Sequence, residues 1–316
     1  MAKKRKSRKN RQNRPFPLFL LTVAILILIG VYSYRTNPQF RKNIDQTVSF
    51  VTGQTNDGTN QKNTAPKTAP SPSLVALPDG LETPVCPAKS HKQDHQIRNF
   101  KNYSICYRES YEQAEWSAYC LTEDELVKNA GRTDDFRIDP QILTGSATPV
   151  DYKKSGYDRG HLSPAADFAF DQDAMSETFF MSNMSPQTGG LNRGIWKDLE
   201  SEVRVWAKKY GRVYVVSGPV LEKSADSYKS IGENHVAVPE FYYKVILAPL
   251  YADESDRATP EDAESITTMA YIFPNKKCDG TINDYAVTVD EVEKRTNLDF
   301  FSLLDDSIEE KIESAR

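Results

Sequence analysis

Within four consecutive positions, Asp158-Arg159-Gly160-His161 places a carboxylate, a guanidinium, a flexible backbone joint and an imidazole. Hydrolysis of a phosphodiester needs a base that activates water and cations that stabilise charge at a pentavalent phosphorus. One short run offers candidates for both tasks. The chain has only 4 histidines, so one beside an Arg-Gly pair is worth following. The competing reading is a structural ion pair next to a turn. A second candidate pair is Asn192 and Glu200. Eight positions of helix leave their side chains about 80° apart and about 12 Å apart along the axis. A metal hydrate against the first turn could contact Asn192 directly and Glu200 through water. Against this stand a plain N-cap asparagine and a solvated helix charge.

These residues need elements to hold them. Trp196, Leu199, Val203 and Trp206 recur at i, i+3, i+7 and i+10, which predicts one helix from Leu191 or Asn192 to about Lys209. Ile105-Cys106-Tyr107 and Trp116 to Leu121 read as early strands. Arg212 to Ser217 reads as a strand ended by Gly218-Pro219, Phe241 to Leu247 as one stopped by Pro249, and Thr267 to Phe273 as one stopped by Pro274. Thr288 with Glu291 marks a capping box at the start of another helix, leading into core residues from Leu298 to Leu304. Strands that look antiparallel, mixed with helices rather than in regular βαβ units, give an α+β class.

The ends set the context. Residues 1–14 carry eight Lys or Arg and no acid, and residues 15–34 are free of charge and largely apolar. About 20 apolar residues span a hydrocarbon core of about 30 Å. The basic flank would stay cytoplasmic and send the rest across the membrane. The expectation is therefore a basic cytoplasmic tail at 1–14 and a transmembrane signal anchor at 15–34, retained rather than cleaved. Residues 35–84, rich in Asn, Gln, Thr, Pro and Ser, read as a disordered linker. The folded domain is expected over 85–307 and a short tail over 308–316. The chain has 40 Lys and Arg against 44 Asp and Glu; without the eight tail cations, 32 face 44, a formal −12. This composition argues against a broad positive surface for nonspecific nucleic-acid binding, and any such contact must use a local basic cleft or be of modest affinity. Cys86, Cys106, Cys120 and Cys278 contain no C-x-x-C pair, which argues against a thiolate zinc site. Disulfides, with three pairings open, and buried free thiols both remain.

The order of segments then matters more than any one of them. Tyr157-Asp158-Arg159-Gly160-His161, Phe180 to Gln187 with Asn183, and Leu191-Asn192-Arg193-Gly194-Ile195-Trp196 to Glu200 follow one another. Trp116 to Tyr119 lies upstream; Val215 to Val220, Pro239 to Val245 and Thr296 to Phe301 lie downstream. This series resembles the DNA/RNA non-specific endonuclease family over nearly the whole predicted domain. The resemblance implies a ββα-metal nuclease core with a central antiparallel sheet. It implies His161 as general base, Asn192 as direct ligand of a divalent cation, and Glu200 acting on that cation through water. Mg²⁺ is the implied cation, with Mn²⁺ the alternative. Arg159 would bind the scissile phosphate, Asn183 would orient site groups, and Asp158 would support the loop. Some family members place a second arginine upstream. Here the closest position is Asp134, so Arg132 is the expected substitute, with Arg137 nearby.

The implied partners are DNA and RNA as substrates and the membrane through the anchor, with monomer and homodimer both open. The activity implied is extracytoplasmic, metal-dependent phosphodiester hydrolysis leaving 5′-phosphates. Two rivals stand beside it: a catalytically silent binding module on the same fold, and a hydrolase of another phosphodiester. His91 and His95 lack a third ligand in sequence, and His235 reads as a loop residue.

Overall fold

Along Arg212–Pro219 successive side chains point to opposite faces of a sheet, and both sets are buried. Val213 and Val215 enter one core, Tyr214 and Val216 another. A strand covered on both faces reads as an unbroken apolar run, as this one does. The computed structural model describes residues 75–86, 94–251 and 262–315. In chain order the strands are β1 (Val75–Ala76), β2 (His95–Asn99), β3 (Ser104–Arg108), β4 (Gln113–Thr122), β5 (Asp158–His161) and β6 (Met184–Gln187). There follow β7 (Arg212–Pro219), β8 (Ser230–Ile231), β9 (Val236–Ala237), β10 (Phe241–Leu250), β11 (Asp262–Ala263), β12 (Ser265–Pro274) and β13 (Ala286–Val287). The α-helices are α1 (Pro149–Tyr152), α2 (Gln172–Glu177), α3 (Gly189–Asn192), α4 (Ile195–Tyr210), α5 (Val289–Thr296) and α6 (Asp306–Glu313).

A seven-stranded antiparallel sheet in the order β13-β12-β10-β7-β4-β3-β2 forms the centre. On one face α4 buries Trp196, Leu199, Val203 and Ala207 against Val215, Tyr242 and Ile246. The Trp196 ring meets Tyr242 at 5.8 Å and Phe273 at 6.3 Å between centroids. On the other face Val289 and Val292 of α5, Ile312 of α6, and Phe300 and Phe301 cover Tyr243, Val245 and Leu247. The result is a three-layer α+β arrangement with the expected central antiparallel sheet.

Separate from that sheet, β5 and β6 pair antiparallel, with Asp158 opposite Gln187 and His161 opposite Met184. The chain then enters α3 and α4, giving two strands and a helix in sequence. The pleat of β5 sends Arg159 and His161 to one side and Asp158 and Gly160 to the other. Gly160 cannot be exchanged freely, because a Cβ there would lie 2.3 Å from Gln187 Oε1.

Several boundaries differ from the sequence reading. The single helix expected from about Leu191 is two helices: Thr188 caps α3 through its hydroxyl, and the path breaks at Arg193-Gly194 before α4 begins. Gly194 adopts φ −104°, ψ −124°, a backbone pair outside the helical region, so the axis restarts there. Gly218-Pro219 remains within β7, and β10 runs past Pro249, which pairs with Ile266 of β12 after pairing with β7 has ended at Leu247. A proline is tolerated where one neighbour has been lost. The chain continues beyond 307 as α6, whose Ile312 is buried in the second core. Upstream, Val75 and Leu81 of the segment read as linker are buried against the domain, and β1 pairs with β11.

The expected basic tail and anchor at 1–34, and the linker up to residue 74, lie outside the described residues. Among the described residues no helix is long and apolar enough to cross a membrane. His91 likewise lies outside them, whereas His95 sits in β2 with Nε2 3.5 Å from Glu115. His235 occupies the turn between β8 and β9 at φ 55°.

Of the three pairings open for four cysteines, Cys86–Cys106 is formed, and Cys120 and Cys278 are free. The bridge closes a sequence separation of 20 and ties the segment after β1 to the sheet. A loop of that size is worth about 3 kcal/mol against the unfolded chain. Reduction is therefore expected to lower the thermal midpoint by about 6–12 °C. Calorimetry with and without reductant checks this, and an unchanged midpoint with four titratable thiols would remove the cross-link.

Candidate active site

One cleft of about 380 Å³ is lined by Arg132, Arg159, His161, Asn192, Arg193, Lys197 and Glu200, with Pro164 to Ala166 at its edge. Strand β5 supplies Arg159 and His161, the break after α3 supplies Asn192 and Arg193, and the first turns of α4 supply Lys197 and Glu200. Arg132 arrives from the loop before the parallel bridge between Arg137 and Phe180. Four cations thus face one carboxylate, which is the local basic cleft that an acidic domain requires for an anionic ligand.

His161 is buried between aromatic rings, 4.9 Å from Phe179 edge-on and 5.8 Å from Phe136. Its Nε2 is buried and has no hydrogen-bond partner. Burial, and then the charges of Arg132 and Arg159, depress the imidazole from its usual range to about 3. The ring is neutral at physiological pH and free to accept a proton. Arg159 stacks its guanidinium 4.0 Å over Phe136, and Arg132 stands 4.9 Å over Phe179 while its Nε donates to Asp134 at 2.7 Å. Arg137 does not line the cleft; it lies 3.9 Å over Phe180 and is bonded to Asp135 and Ser176.

Asn183 does not line the cleft either. It is buried, and both ends of its amide are satisfied: Oδ1 accepts from Ser163 N at 3.0 Å, and Nδ2 donates to Ser163 O and Thr178 O, each at 2.9 Å. Its carbonyl also accepts from Leu162 N at 3.1 Å. Asn183 therefore fixes the backbone that leaves His161.

On the opposite wall, Asn192 Nδ2 donates to Asp158 Oδ2 at 3.0 Å, and Arg193 Nε donates to the same oxygen at 2.8 Å. A carboxylate only accepts, so it orients the amide with its nitrogen inward. The remaining Asn192 Oδ1 has no hydrogen-bond partner among the described residues and belongs to a side chain that lines the cleft. Burial opposes ionisation of Asp158, but the hydrogen bonds from Arg193 and Asn192 outweigh it and hold the carboxyl low. An unpartnered amide oxygen with a nearby carboxylate is a hard oxygen donor set, which fits a hydrated divalent cation. Asn192 and Glu200 are the residues that would hold it.

Beneath Glu200 lies a set of charges that the sequence reading did not assign. Asp167 is buried and accepts from Arg204 and from the Tyr119 hydroxyl, each at 2.7 Å. Lys244 is fully buried in β10, donates to Ser217 and stands 4.6 Å over the Trp196 ring. Burial raises the Glu200 carboxyl, and the charge of Lys244 opposes that rise. Lysine inside the apolar run Tyr242-Tyr243-Lys244-Val245-Ile246, and arginine four positions after Glu200, were the available signals.

Comparison with known proteins follows the same lines. Residues 83–307 match the DNA/RNA non-specific endonuclease family. Mouse mitochondrial nuclease EXOG is 33% identical over 223 residues, covering 67% of this chain and 58% of that protein. Nuclease C1 of Cunninghamella echinulata var. echinulata is 36% identical over 218 residues, covering 65% of this chain and 82% of that protein. Human mitochondrial endonuclease G is 32% identical over 216 residues, covering 65% and 69% respectively. The chain thus spans less than two thirds of the length of the mouse relative. A solved chain from the EndoG/EndoGI complex superposes with a TM-score of 0.59 at 32% identity, covering 67% of this chain and 88% of that one.

The depressed imidazole has a direct consequence. Because the folded value of about 3 lies below the ordinary 6.5, His161 stays unprotonated down to well below pH 6. The unfolded chain takes up that proton first, so stability falls as pH drops from about 6.5 towards 3. In an NMR titration of the free protein the His161 ring should show no protonation step between pH 5 and 8. A step near 6.5 assigned to His161 would contradict this.

Proposed function

The chain belongs to the DNA/RNA non-specific endonuclease family, and from that premise we propose that it hydrolyses phosphodiester bonds of DNA and RNA. The observation that carries the proposal is the single cleft uniting Arg132, Arg159, His161, Asn192 and Glu200. Arg159 and Arg132 bind the scissile phosphate and neutralise its charge. His161 takes a proton from the attacking water. Asn192 and Glu200 hold a divalent cation, Mg²⁺ by preference and Mn²⁺ as the alternative, the first directly and the second through water. A cation bound there supplies electrostatic stabilisation at the leaving oxygen. The products carry 5′-phosphates. Contacts aimed at phosphate and not at base edges account for a lack of sequence preference.

His161 gains basicity from the substrate. Burial is the largest influence that depresses it, followed by the charges of Arg132 and Arg159, and a bound phosphate would offset those two charges. The imidazole is thus kept neutral before binding and becomes the stronger base once the phosphate is seated. That timing suits a general base, whose efficiency rises as its pKa nears the working pH.

The segment 15–34 supports a membrane-tethered enzyme, with residues 1–14 cytoplasmic and the catalytic domain outside the cytoplasm. The Cys86–Cys106 bridge is compatible with an oxidising exterior.

The test is plasmid DNA and RNA with the full chain in detergent, with and without Mg²⁺ or Mn²⁺. Cleavage of both polymers only when metal is present is expected. His161→Ala and Asn192→Ala should each lower kcat by about 10²-fold or more. Intact polymers under every metal tried would reject the nuclease reading; full activity of His161→Ala would reject this base. The pH profiles add a separate check. The acid limb of kcat should sit at higher pH than that of kcat/KM, because the first reports the substrate complex. Coincident limbs would exclude the coupling between phosphate and His161.

A further inference from the structure

Away from the cleft, one group of carboxylates has no cationic partner among the described residues. Asp290 and Glu293 stand three apart on α5, and Glu313 ends α6. One oxygen from each of the three lies within 4.8 Å of the others. The carboxylates whose charges act on Glu293 and Glu313 include Asp299 and Glu309, and no cation is prominent among these influences. Among the described residues, Lys294 pairs with Glu291 and Arg295 with Glu222, and neither pairs with this group.

Carboxylates alone make no site, since exposed acids gather on many surfaces. Glu313 is a separate observation. It is only 7% exposed, and its buried Oε1 has no hydrogen-bond partner. The buried Oε1 of Glu309, one helical turn before, also has none. A buried ionised carboxylate without a donor or counter-ion is costly, and two side by side more so. Burial, then the charges of Glu293, Glu309, Asp290 and Asp299, push the Glu313 carboxyl up to about 8. A dication would relieve all of these at once.

We infer that Asp290, Glu293 and Glu313, with Glu309 beside them, form a calcium site that fastens α6 to α5. The donors are all oxygen, which disfavours zinc. They converge from two helices, and exposed Asp290 leaves room for water to complete the six to eight oxygen ligands that calcium takes. Glu309 and Glu313 lie beyond the family match, which ends at 307, so the site is a property of this chain's own last helix. It is independent of the nuclease reading and of the cleft around Asn192. Its work is structural: Ile312 reaches the core beneath it, and the Ile312 carbonyl accepts from Thr268 of β12 at 2.6 Å.

The experiment is thermal unfolding of the full chain in detergent across CaCl₂ from about 10 µM to about 10 mM, the range of extracellular calcium modules, at constant ionic strength. A saturable rise of about 5–10 °C at hundredfold excess over Kd is expected, with a smaller response to MgCl₂. Asn192→Ala should keep that rise, which separates this site from the cleft. Glu313→Gln should fold at least as well without metal and lose the calcium response. Asp290→Asn, an exposed change, gives the same test should Glu313→Gln fail to fold. No calcium-dependent rise in the parent protein, or a rise that survives in both variants, would overturn the assignment.

Discussion

The carboxylate of Asp158 joins the two halves of the cleft. It stands on β5 one residue before Arg159, yet its hydrogen bonds go to Asn192 and Arg193 at the end of α3. Without it the strand that carries Arg159 and His161 would have no side-chain hydrogen bond to Asn192 and Arg193 among the described residues. The same contact fixes which end of the Asn192 amide faces outward. Gly160 then lets the Gln187 side chain lie across β5, so the hairpin stays closely paired where the cleft depends on it.

Behind this tie stands a buried ionic floor. Asp167, Arg204, Glu200 and Lys244 sit together between α4 and the sheet, and they bring charges of both signs. Burying them is costly, and replacing such a group by apolar residues is often neutral for stability. Their use here is positional. Arg204, one turn after Glu200, is held by Asp167, which Tyr119 of β4 holds in turn. The face of α4 that carries Glu200 is thereby registered against the central sheet.

Much of this was legible in sequence because it depends on period and order. The apolar stripe Trp196, Leu199, Val203 and Trp206 identified the helix, and all four pack on one core. Alternation and length identified β3, β4, β7, β10 and β12. The segment order linked Arg159 and His161 to Asn192 and Glu200, and these four do line one cleft. What escaped was whatever depends on contacts distant in sequence. A glycine two residues after Asn192 does not announce a helix break, since the apolar stripe begins only at Trp196. Asn183, expected to orient site groups, lies outside the cleft wall, and its amide holds the loop after His161. Lys244 had a visible signal, a lone cation in an apolar strand, but its partners arrive from other elements. The helix α6 is short and mostly charged, and only the burial of Ile312 and Glu313 explains why it docks.

An acidic domain that presents a basic cleft poses a physical question, and the pairing pattern answers it. Net charge sets the far field, but screening leaves local sign to the nearest few groups. Three carboxylates near the cleft are occupied: Asp158 by Arg193 and Asn192, Asp134 by Arg132, Asp167 by Arg204. The Arg132 pair uses only its Nε, so its terminal nitrogens stay available to an anion. Arg159 rests on an aromatic ring and has no carboxylate partner among the described residues, so its charge is undiminished. A group of acids without a cationic partner among the described residues, Glu293, Glu309 and Glu313, lies on the opposite side of the sheet from α4. Segregation of this kind lets one chain attract a polyanion at one place while repelling it over most of its surface. It also restricts approach of a polyanion to the cleft itself, where Arg132 and Arg159 stand beside His161.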